Sequence, residues 1–289
     1  MRLDDYLRRV GLGGAAPSLR PGADTLCRLH RAHRETFLFE NLTIQCGGAV
    51  SLAPGDLERK FLDEGRGGYC FEHNTLFAAA LRDLGFDPVT LLGRVRRGPP
   101  ERWCRTHMVL AVPADSRTWL ADVGFGATGI VEPIPLEHGA VAVQHGFQYA
   151  LHRDSRLWVL SMRDAGGAVQ DLYEFSDDPQ TPWDVEVANH FTSTHPESVF
   201  RRTVTVQRCG RDERIVLRND VLERYRDGRV EQSTIERAAW PRLVRELFGI
   251  DLPDGPFVCE SQPAMPPAGA AGRERTADGR APSAASVVQ

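Results

Sequence analysis

The stretch "EGRGGYCFEHNTLFAAALRDLG", residues 64–85, places two adjacent glycines and one cysteine directly before a run of apolar residues at helical spacing. The pattern predicts a helix that begins near Cys70 and ends at Gly85. A helix N-terminus stabilises a thiolate through its partial positive charge and its unpaired N–H groups, so the position favours a nucleophile. We expect Gly67 and Gly68 to allow a tight turn and to leave room for a substrate carbonyl. The alternative is an inert, buried cysteine, which describes most isolated cysteines.

A thiolate nucleophile requires a base, and the base requires a group that orients it. Downstream, the strand-like runs RTHMVLAV and RTWLADVG flank a turn, and we expect Val112 to pair with Thr118. From that register, a shift of one residue or a bulge brings His107 and Asp122 onto one face, within hydrogen-bond reach. Together with Cys70, this pair indicates a Cys-His-Asp triad.

The pattern of the chain changes three times. Residues 1–85 are mostly helical, and residues 86–185 contain short β-rich runs separated by Pro, Gly and Asp, which predicts an antiparallel sheet or barrel. Residues 186–258 are mixed, with the strands VFRRTVTVQRC and ERIVLRN and a final helix that a proline interrupts. Residues 259–289 are rich in Ala, Gly, Pro, Arg and Ser, and we expect them to be disordered. The fold class is therefore α+β.

Composition excludes several classes of protein. The chain has 289 residues, of which 42% are hydrophobic and 26% charged, as expected of a globular protein with a sizeable core. A net charge of −4, without a basic cluster among aromatics, argues against nucleic-acid binding. The N-terminus lacks the apolar region of a signal peptide, and no long apolar run occurs, so we expect a cytoplasmic protein that does not bind membranes.

The six cysteines form no CxxC pair and have no zinc-like spacing, which predicts free thiols. His30 and His33 lie three residues apart on a predicted helix, a spacing that suits a metal. No cysteine or carboxylate accompanies them at ligand spacing. We therefore expect these two histidines on a solvated helix face, and no metal site.

The chain resembles the arylamine N-acetyltransferase family in segments that occur in the family's order over about residues 1–250. They are "FENL" (39–42), "RGGYCFEHN" (66–74), "THMVL" (106–110), "DVGFG" (122–126) and "NHFTSTHPESVF" (189–200). The resemblance implies an N-terminal helical bundle, a central antiparallel β-barrel and a C-terminal α/β lid, with a papain-like triad between the first two. It implies Cys70 as nucleophile, His107 as its base and Asp122 as the residue that orients the imidazole.

The family chemistry implies acetyl-CoA as a cosubstrate and no permanently bound cofactor. Acetyl-CoA acylates the cysteine, and an arylamine or hydrazine then attacks the thioester, so ping-pong kinetics follow. By the same resemblance, the residues that contact CoA are Thr106, Gly124, Phe125, Gly126 and Thr128. An apolar slot for the aryl group would be lined by Phe39, Phe125 and Phe200, although each is equally well explained as a core aromatic. Glu40 and Arg66 are expected to form a structural ion pair.

Two other function classes remain open. One is the amide synthase that closes ansamycin macrolactams, in which the acyl donor is a carrier-bound polyketide and the aryl amine belongs to the same molecule. The other is a non-catalytic binding protein on the same scaffold, against which an intact triad argues. Labelling of the protein by acetyl-CoA distinguishes an acetyltransferase from such an amide synthase.

Overall fold

A computed structural model describes residues 1–210, 213–226 and 229–252, and the predicted disordered tail at 259–289 lies outside these residues. The helices are α1 (Leu3–Arg9), α2 (Ala23–Thr36), α3 (Leu42–Gln45), α4 (Pro54–Glu58), α5 (Cys70–Asp83), α6 (Pro182–Thr194), α7 (Val199–Arg202) and α8 (Trp240–Phe248). The strands are β1 (Phe39–Glu40), β2 (Val89–Val95), β3 (Arg105–Ala114), β4 (Arg117–Ala121), β5 (Ile134–Pro135), β6 (Ala140–Gln144), β7 (Phe147–Asp154), β8 (Leu157–Arg163), β9 (Val169–Phe175), β10 (Thr205–Cys209), β11 (Glu213–Arg218), β12 (Val221–Arg226) and β13 (Arg229–Thr234).

The described strands form two antiparallel sheets. The larger has eight strands in the order β5-β4-β3-β2-β9-β8-β7-β6, and its end strands β5 and β6 lie next to each other, so the sheet nearly closes into a barrel. The smaller has the order β1-β10-β11-β12-β13 and packs its apolar face against α8. The predicted α+β class with a barrel is confirmed. The division of the chain at residues 85 and 185 stays a prediction.

Helix α5 lies at the centre of the largest hydrophobic core. It contacts α1, α4 and strand β3, and side chains on nearly all of its sides are buried, among them Phe71, Leu76, Phe77 and Leu81. Such burial contributes roughly 2 kcal/mol for each large apolar side chain. The helix begins at Cys70 as predicted, so the thiol is attached to one of the most firmly packed elements of the molecule.

Two predictions in the third region are wrong. Residues Val199–Arg202 form helix α7 instead of the start of a strand, because the Ser198 hydroxyl accepts a hydrogen bond from the Phe200 N–H and caps the helix. Pro241 lies in the first turn of α8 and does not interrupt a helix. The first turn is where proline is tolerated, since its missing N–H would have no partner there.

The hairpin of β3 and β4 also differs from the predicted register. Val112 pairs with Trp119, and Thr118 pairs with Pro113, one residue away from the expected alignment. The shift arises because the turn has only two residues at its tip, Asp115 at φ 50° and Ser116 at φ 62°. Continuing the observed register places Asp122 on the same face as His107 without a bulge.

His30 and His33 are fully buried, so the predicted solvated face is wrong. The reason is a chain of hydrogen bonds in the core. The Leu38 carbonyl accepts from His73 Nε2 (2.9 Å), His73 Nδ1 then accepts from His33 Nε2 (2.9 Å), and His33 Nδ1 accepts from the Tyr6 hydroxyl (3.0 Å). A carbonyl can only accept, so it sets the tautomer of both rings and keeps both neutral.

Acid should therefore unfold the protein through His33 and His73. Burial lowers the pKa of His73 to about 4, and burial together with the His73 charge holds the pKa of His33 well below its ordinary value. The unfolded chain takes up these protons near pH 6.5, so stability is complete above that pH and decreases as the pH falls toward 4. We expect His73 alone to cost about 2 kcal/mol between about pH 7.5 and about pH 5, measured by urea unfolding, and His33 to add to that loss.

Two variants test the origin of this pH dependence. His73→Gln should reduce the difference in unfolding free energy between the two pH values. His190→Gln, which removes an exposed histidine of α6, should leave the difference unchanged. An equal pH dependence in wild type and His73→Gln would contradict the role of the buried chain.

Candidate active site

A buried network of charges holds the start of α5. The Tyr69 N–H, one residue before the helix, donates to the Glu72 carboxylate (3.0 Å), and Lys60 Nζ donates to the same carboxylate (2.6 Å). Lys60 also lies 3.7 Å from Glu40, which accepts from Arg66 Nη2 (2.7 Å). The predicted Glu40–Arg66 ion pair is thus present, as part of a larger network that fixes the chain before the nucleophile.

The glycines before Cys70 have a different role from the predicted one. A Cβ on Gly67 would lie 1.7 Å from the Leu38 carbonyl oxygen, and one on Gly68 would lie 2.4 Å from the Glu72 carboxylate. Their missing side chains make room for the protein's own backbone and for the helix cap, not for a substrate. Leu38 thereby contacts the active-site loop on one side and the histidine chain on the other.

Gly67→Ala should destabilise the protein by at least about 3 kcal/mol, because the atom that the new methyl group meets belongs to the backbone and cannot rotate away. Gly55→Ala is the matched control, since a Cβ at Gly55 in α4 meets no atom within 4 Å. Its stability should be unchanged or slightly raised. Urea midpoints of the two variants provide the comparison, and equal midpoints would contradict the close packing at Gly67.

The structure brings the three predicted triad residues together. His107 Nε2 lies 2.7 Å from Asp122 Oδ2, and both side chains are buried. The Cys70 sulfur lies 3.7 Å from the carbonyl oxygen of Thr106, the residue before His107, and the thiol is near enough to the His107 ring to raise its pKa. Cys70 begins helix α5, His107 lies on strand β3, and Asp122 is the residue that follows strand β4.

Two side chains that the sequence analysis did not connect with the triad hold Asp122 in place. Asn74 Nδ2 donates to Asp122 Oδ1 (3.2 Å), and Asn74 Oδ1 accepts from the Val123 N–H (3.2 Å). His30 Nε2 accepts from the Asp122 N–H (3.0 Å). Asn74 follows Cys70 by four residues on one helix face, a signal that was available in the sequence. His30 has no such local signal.

The charges of the triad follow from this geometry. Burial lowers the pKa of His107, but the Asp122 carboxylate and the Cys70 thiol more than offset it and raise this pKa to about 10. Burial alone would raise the pKa of Asp122, but His107 and the hydrogen bonds from Gly124 and Asn74 lower it to about 2. At neutral pH the site thus holds an imidazolium between a carboxylate and a thiol, which is the charge arrangement of an activated cysteine.

The predicted aromatic residues lie in two places. The Phe125 ring is centred 5.0 Å from that of His107 and contacts Tyr173 as well. Phe39 and Phe200 pack against each other at 6.1 Å, and Phe200 lies 5.2 Å from Tyr69. One group thus lies beside the triad histidine, and the other lies beside Tyr69, the residue before the start of α5.

Four of the predicted CoA-binding residues belong to the loop after Asp122, and the fifth, Thr106, places its carbonyl oxygen 3.7 Å from the Cys70 sulfur. A Cβ on Gly124 would lie 2.7 Å from the Cys70 Cα, so the loop after Asp122 passes directly over the helix start. Gly126 has a φ of +80°, a conformation that favours glycine. Thr128 is half-buried further along the loop.

Comparison with known proteins bears on the family to which the chain belongs. A family profile described as N-acetyltransferase matches residues 23–257. An arylamine N-acetyltransferase of Mycolicibacterium smegmatis is 38% identical over 263 residues, which cover 88% of this chain and 94% of that protein. This chain belongs to the arylamine N-acetyltransferase family. The family is one of acyltransferases, so the predicted enzyme class is confirmed.

Two further relatives bear on the substrate of this arylamine N-acetyltransferase family member. The structure of a Mycobacterium marinum arylamine N-acetyltransferase in complex with CoA superposes with a TM-score of 0.79 at 35% identity, covering 86% of this chain and 92% of that chain. A proansamycin X synthase of Amycolatopsis mediterranei is 30% identical over 184 residues, covering 62% of this chain and 68% of that protein. The similarity to acetyltransferases therefore extends over more of the chain.

Proposed function

We propose that this protein transfers an acetyl group from acetyl-CoA to the nitrogen of an arylamine or arylhydrazine through a thioester on Cys70. The observation that supports the proposal is the His107–Asp122 pair at 2.7 Å beside the Cys70 sulfur, which lies 3.7 Å from the carbonyl oxygen of the residue before His107. We assign the reaction to the cytoplasm, with acetyl-CoA as cosubstrate and without a permanently bound cofactor.

The first half-reaction forms the acetyl-enzyme. The Cys70 thiolate attacks the carbonyl carbon of acetyl-CoA, and the bond from that carbon to the CoA sulfur breaks. The proton on His107 passes to the departing CoA thiolate, which leaves the imidazole neutral. The N–H of Cys70 at the start of α5 is a candidate donor to the oxyanion, because it belongs to the first turn and points along the helix dipole.

The second half-reaction releases the product. The amine nitrogen attacks the thioester carbon, His107 accepts a proton from that nitrogen, and the bond to Cys70 Sγ breaks. The thiolate and the imidazolium are thereby restored. Asp122 stays ionised throughout and keeps the ring in the orientation that faces the sulfur.

The substrates would lie on the two sides of the thiol. We assign CoA to the side of the loop after Asp122, with contacts from Thr106, Gly124, Phe125, Gly126 and Thr128. We assign the aryl group to the aromatic side chains of Phe39, Phe125 and Phe200. Packing of an aromatic ring against such side chains would stabilise it by about 1 kcal/mol beyond the burial of its area.

Mass spectrometry of the intact protein tests the proposal. Acetyl-CoA without an amine should add one acetyl group, and an arylamine or a hydrazine should then remove it. Initial-rate plots against the two substrates should give parallel lines. Intersecting lines with no acetyl-enzyme would contradict the ping-pong mechanism.

The similarity to the proansamycin X synthase keeps macrolactam closure as the second candidate function. Iodoacetamide distinguishes it, because it reports the reactivity of Cys70 independently of the acyl donor. Rapid and selective alkylation of Cys70 in a protein that acetyl-CoA never labels would contradict acetyl transfer. It would favour an amide synthase that takes a carrier-bound polyketide.

A further inference from the structure

Two buried arginines hold the loop after Asp122, residues 123–131, from behind. Arg34 Nη2, from α2, donates to the Gly126 carbonyl (2.7 Å), and Arg214 Nη1, from β11, donates to the Ala127 carbonyl (3.0 Å). The helical layer and the smaller sheet each supply one guanidinium. The two arginines thus bind the same short loop, although one precedes it in the sequence and the other follows it.

Other side chains complete this attachment. The Tyr149 hydroxyl donates to the Thr128 carbonyl (3.0 Å), and Gln207 Oε1 accepts from the Ala127 N–H (2.7 Å). Three successive carbonyls, of residues 126 to 128, are thus bonded to donors behind the loop. The loop cannot rotate its peptide groups without breaking several buried hydrogen bonds.

The N–H groups of the same loop are less occupied. Within the described part of the chain, those of Phe125, Gly126 and Thr128 have no acceptor. Adjacent free N–H groups, here those of Phe125 and Gly126, can bind an anion. Phe125 also contacts His107, so this site would adjoin the thiol that receives the acyl group.

The charge behind the loop is unusual. Arg34 and Arg214 are only 4% and 5% exposed, and the hydrogen bonds of both guanidinium groups to described residues go to backbone carbonyls and, for Arg34, also to the Cys209 sulfur, with no carboxylate among these acceptors. Arg34 Nε and Arg214 Nη2 are buried without a hydrogen-bond partner in that part of the chain. Two buried like charges destabilise each other, and an anion in front of the loop would relieve that cost.

We propose that Arg34 and Arg214 are positioning residues for the acyl donor. The two side chains bind the loop carbonyls, and their positive charge attracts the phosphates of CoA on the other side of the loop, without direct contact. The inference rests on the proposed function and extends it to two residues outside the triad and its neighbours. We therefore expect the arginines to affect the recognition of the phosphate-bearing part of the donor and not the reaction of its thioester.

Two donors with the same thioester separate these contributions. Acetyl-CoA carries the phosphates, whereas S-acetyl-pantetheine lacks them, and the rate of acetyl-enzyme formation gives kcat/KM for each. Arg214→Met should lower kcat/KM for acetyl-CoA about ten-fold and that for S-acetyl-pantetheine by less than about two-fold. Arg34→Met should do the same, and it supplies the test if the first variant does not fold.

Arg208→Met is the matched control. Arg208 is an exposed residue of β10, so this variant removes one positive charge from the same sheet without removing a contact to the loop. It should leave the ratio of the two donors unchanged. Equal losses for both donors in Arg214→Met, or an unchanged ratio, would overturn the role of the arginines. Failure of both donors to label the wild type would instead contradict the proposed function itself.

Discussion

We expect a Cys70→Ser variant to form no acetyl-enzyme and to transfer acetyl groups at least about 10⁴-fold more slowly than the wild type. The serine hydroxyl keeps its proton at neutral pH, whereas a cysteine thiol beside an imidazole releases it readily. The environment offers the serine no free base, because Asp122, which the substitution leaves in place, raises the pKa of His107 against the effect of burial and favours the protonated ring.

The measurement is a single-turnover assay with acetyl-CoA, followed by intact mass. Cys104→Ser is the control, since Cys104 is an exposed free thiol that lies three residues before His107. That variant should retain the wild-type rate and the wild-type acetylation. Turnover of Cys70→Ser near the wild-type rate would mean that another group receives the acetyl group.

Asp122→Asn should lower the rate of acetyl transfer by about 10³-fold to 10⁴-fold while the protein stays folded. An amide can donate to His107 Nε2 and would then stabilise the wrong tautomer. The substitution also removes the negative charge that keeps the His107 ring protonated. The effect of burial would then dominate, and the pKa of His107 would fall. Alkylation of Cys70 by iodoacetamide near neutral pH should slow in parallel, because less of the thiol is ionised.

Asp87→Asn provides the matched control, since Asp87 is exposed and lies outside the site. Its rate and its alkylation should equal those of the wild type. A nearly normal rate in Asp122→Asn would show that a different group orients the imidazole. The pH profile of alkylation adds a readout that a mere loss of stability would not change.

The local pattern of the sequence determined the elements that carry the chemistry. Apolar spacing after Cys70 predicted a helix that begins at that residue, and the predicted strand run RTHMVLAV lies within β3. Both features depend on residues within a few positions of one another, where side-chain periodicity and glycine placement express the backbone conformation directly. The two strand runs that carry His107 and Asp122 were visible for the same reason.

The tertiary structure decided what surrounds those elements. His30 was predicted to face solvent, yet it accepts from the Asp122 N–H, 92 residues away. Arg34 and Arg214 reach the loop after Asp122 across 92 and 87 residues. Packing of three layers against one another selects such partners, and no short-range pattern records which surfaces will meet. The helix start and the strands were therefore readable from the chain, whereas the support of Asp122 and of its loop arises only when the helices, the barrel and the smaller sheet are assembled.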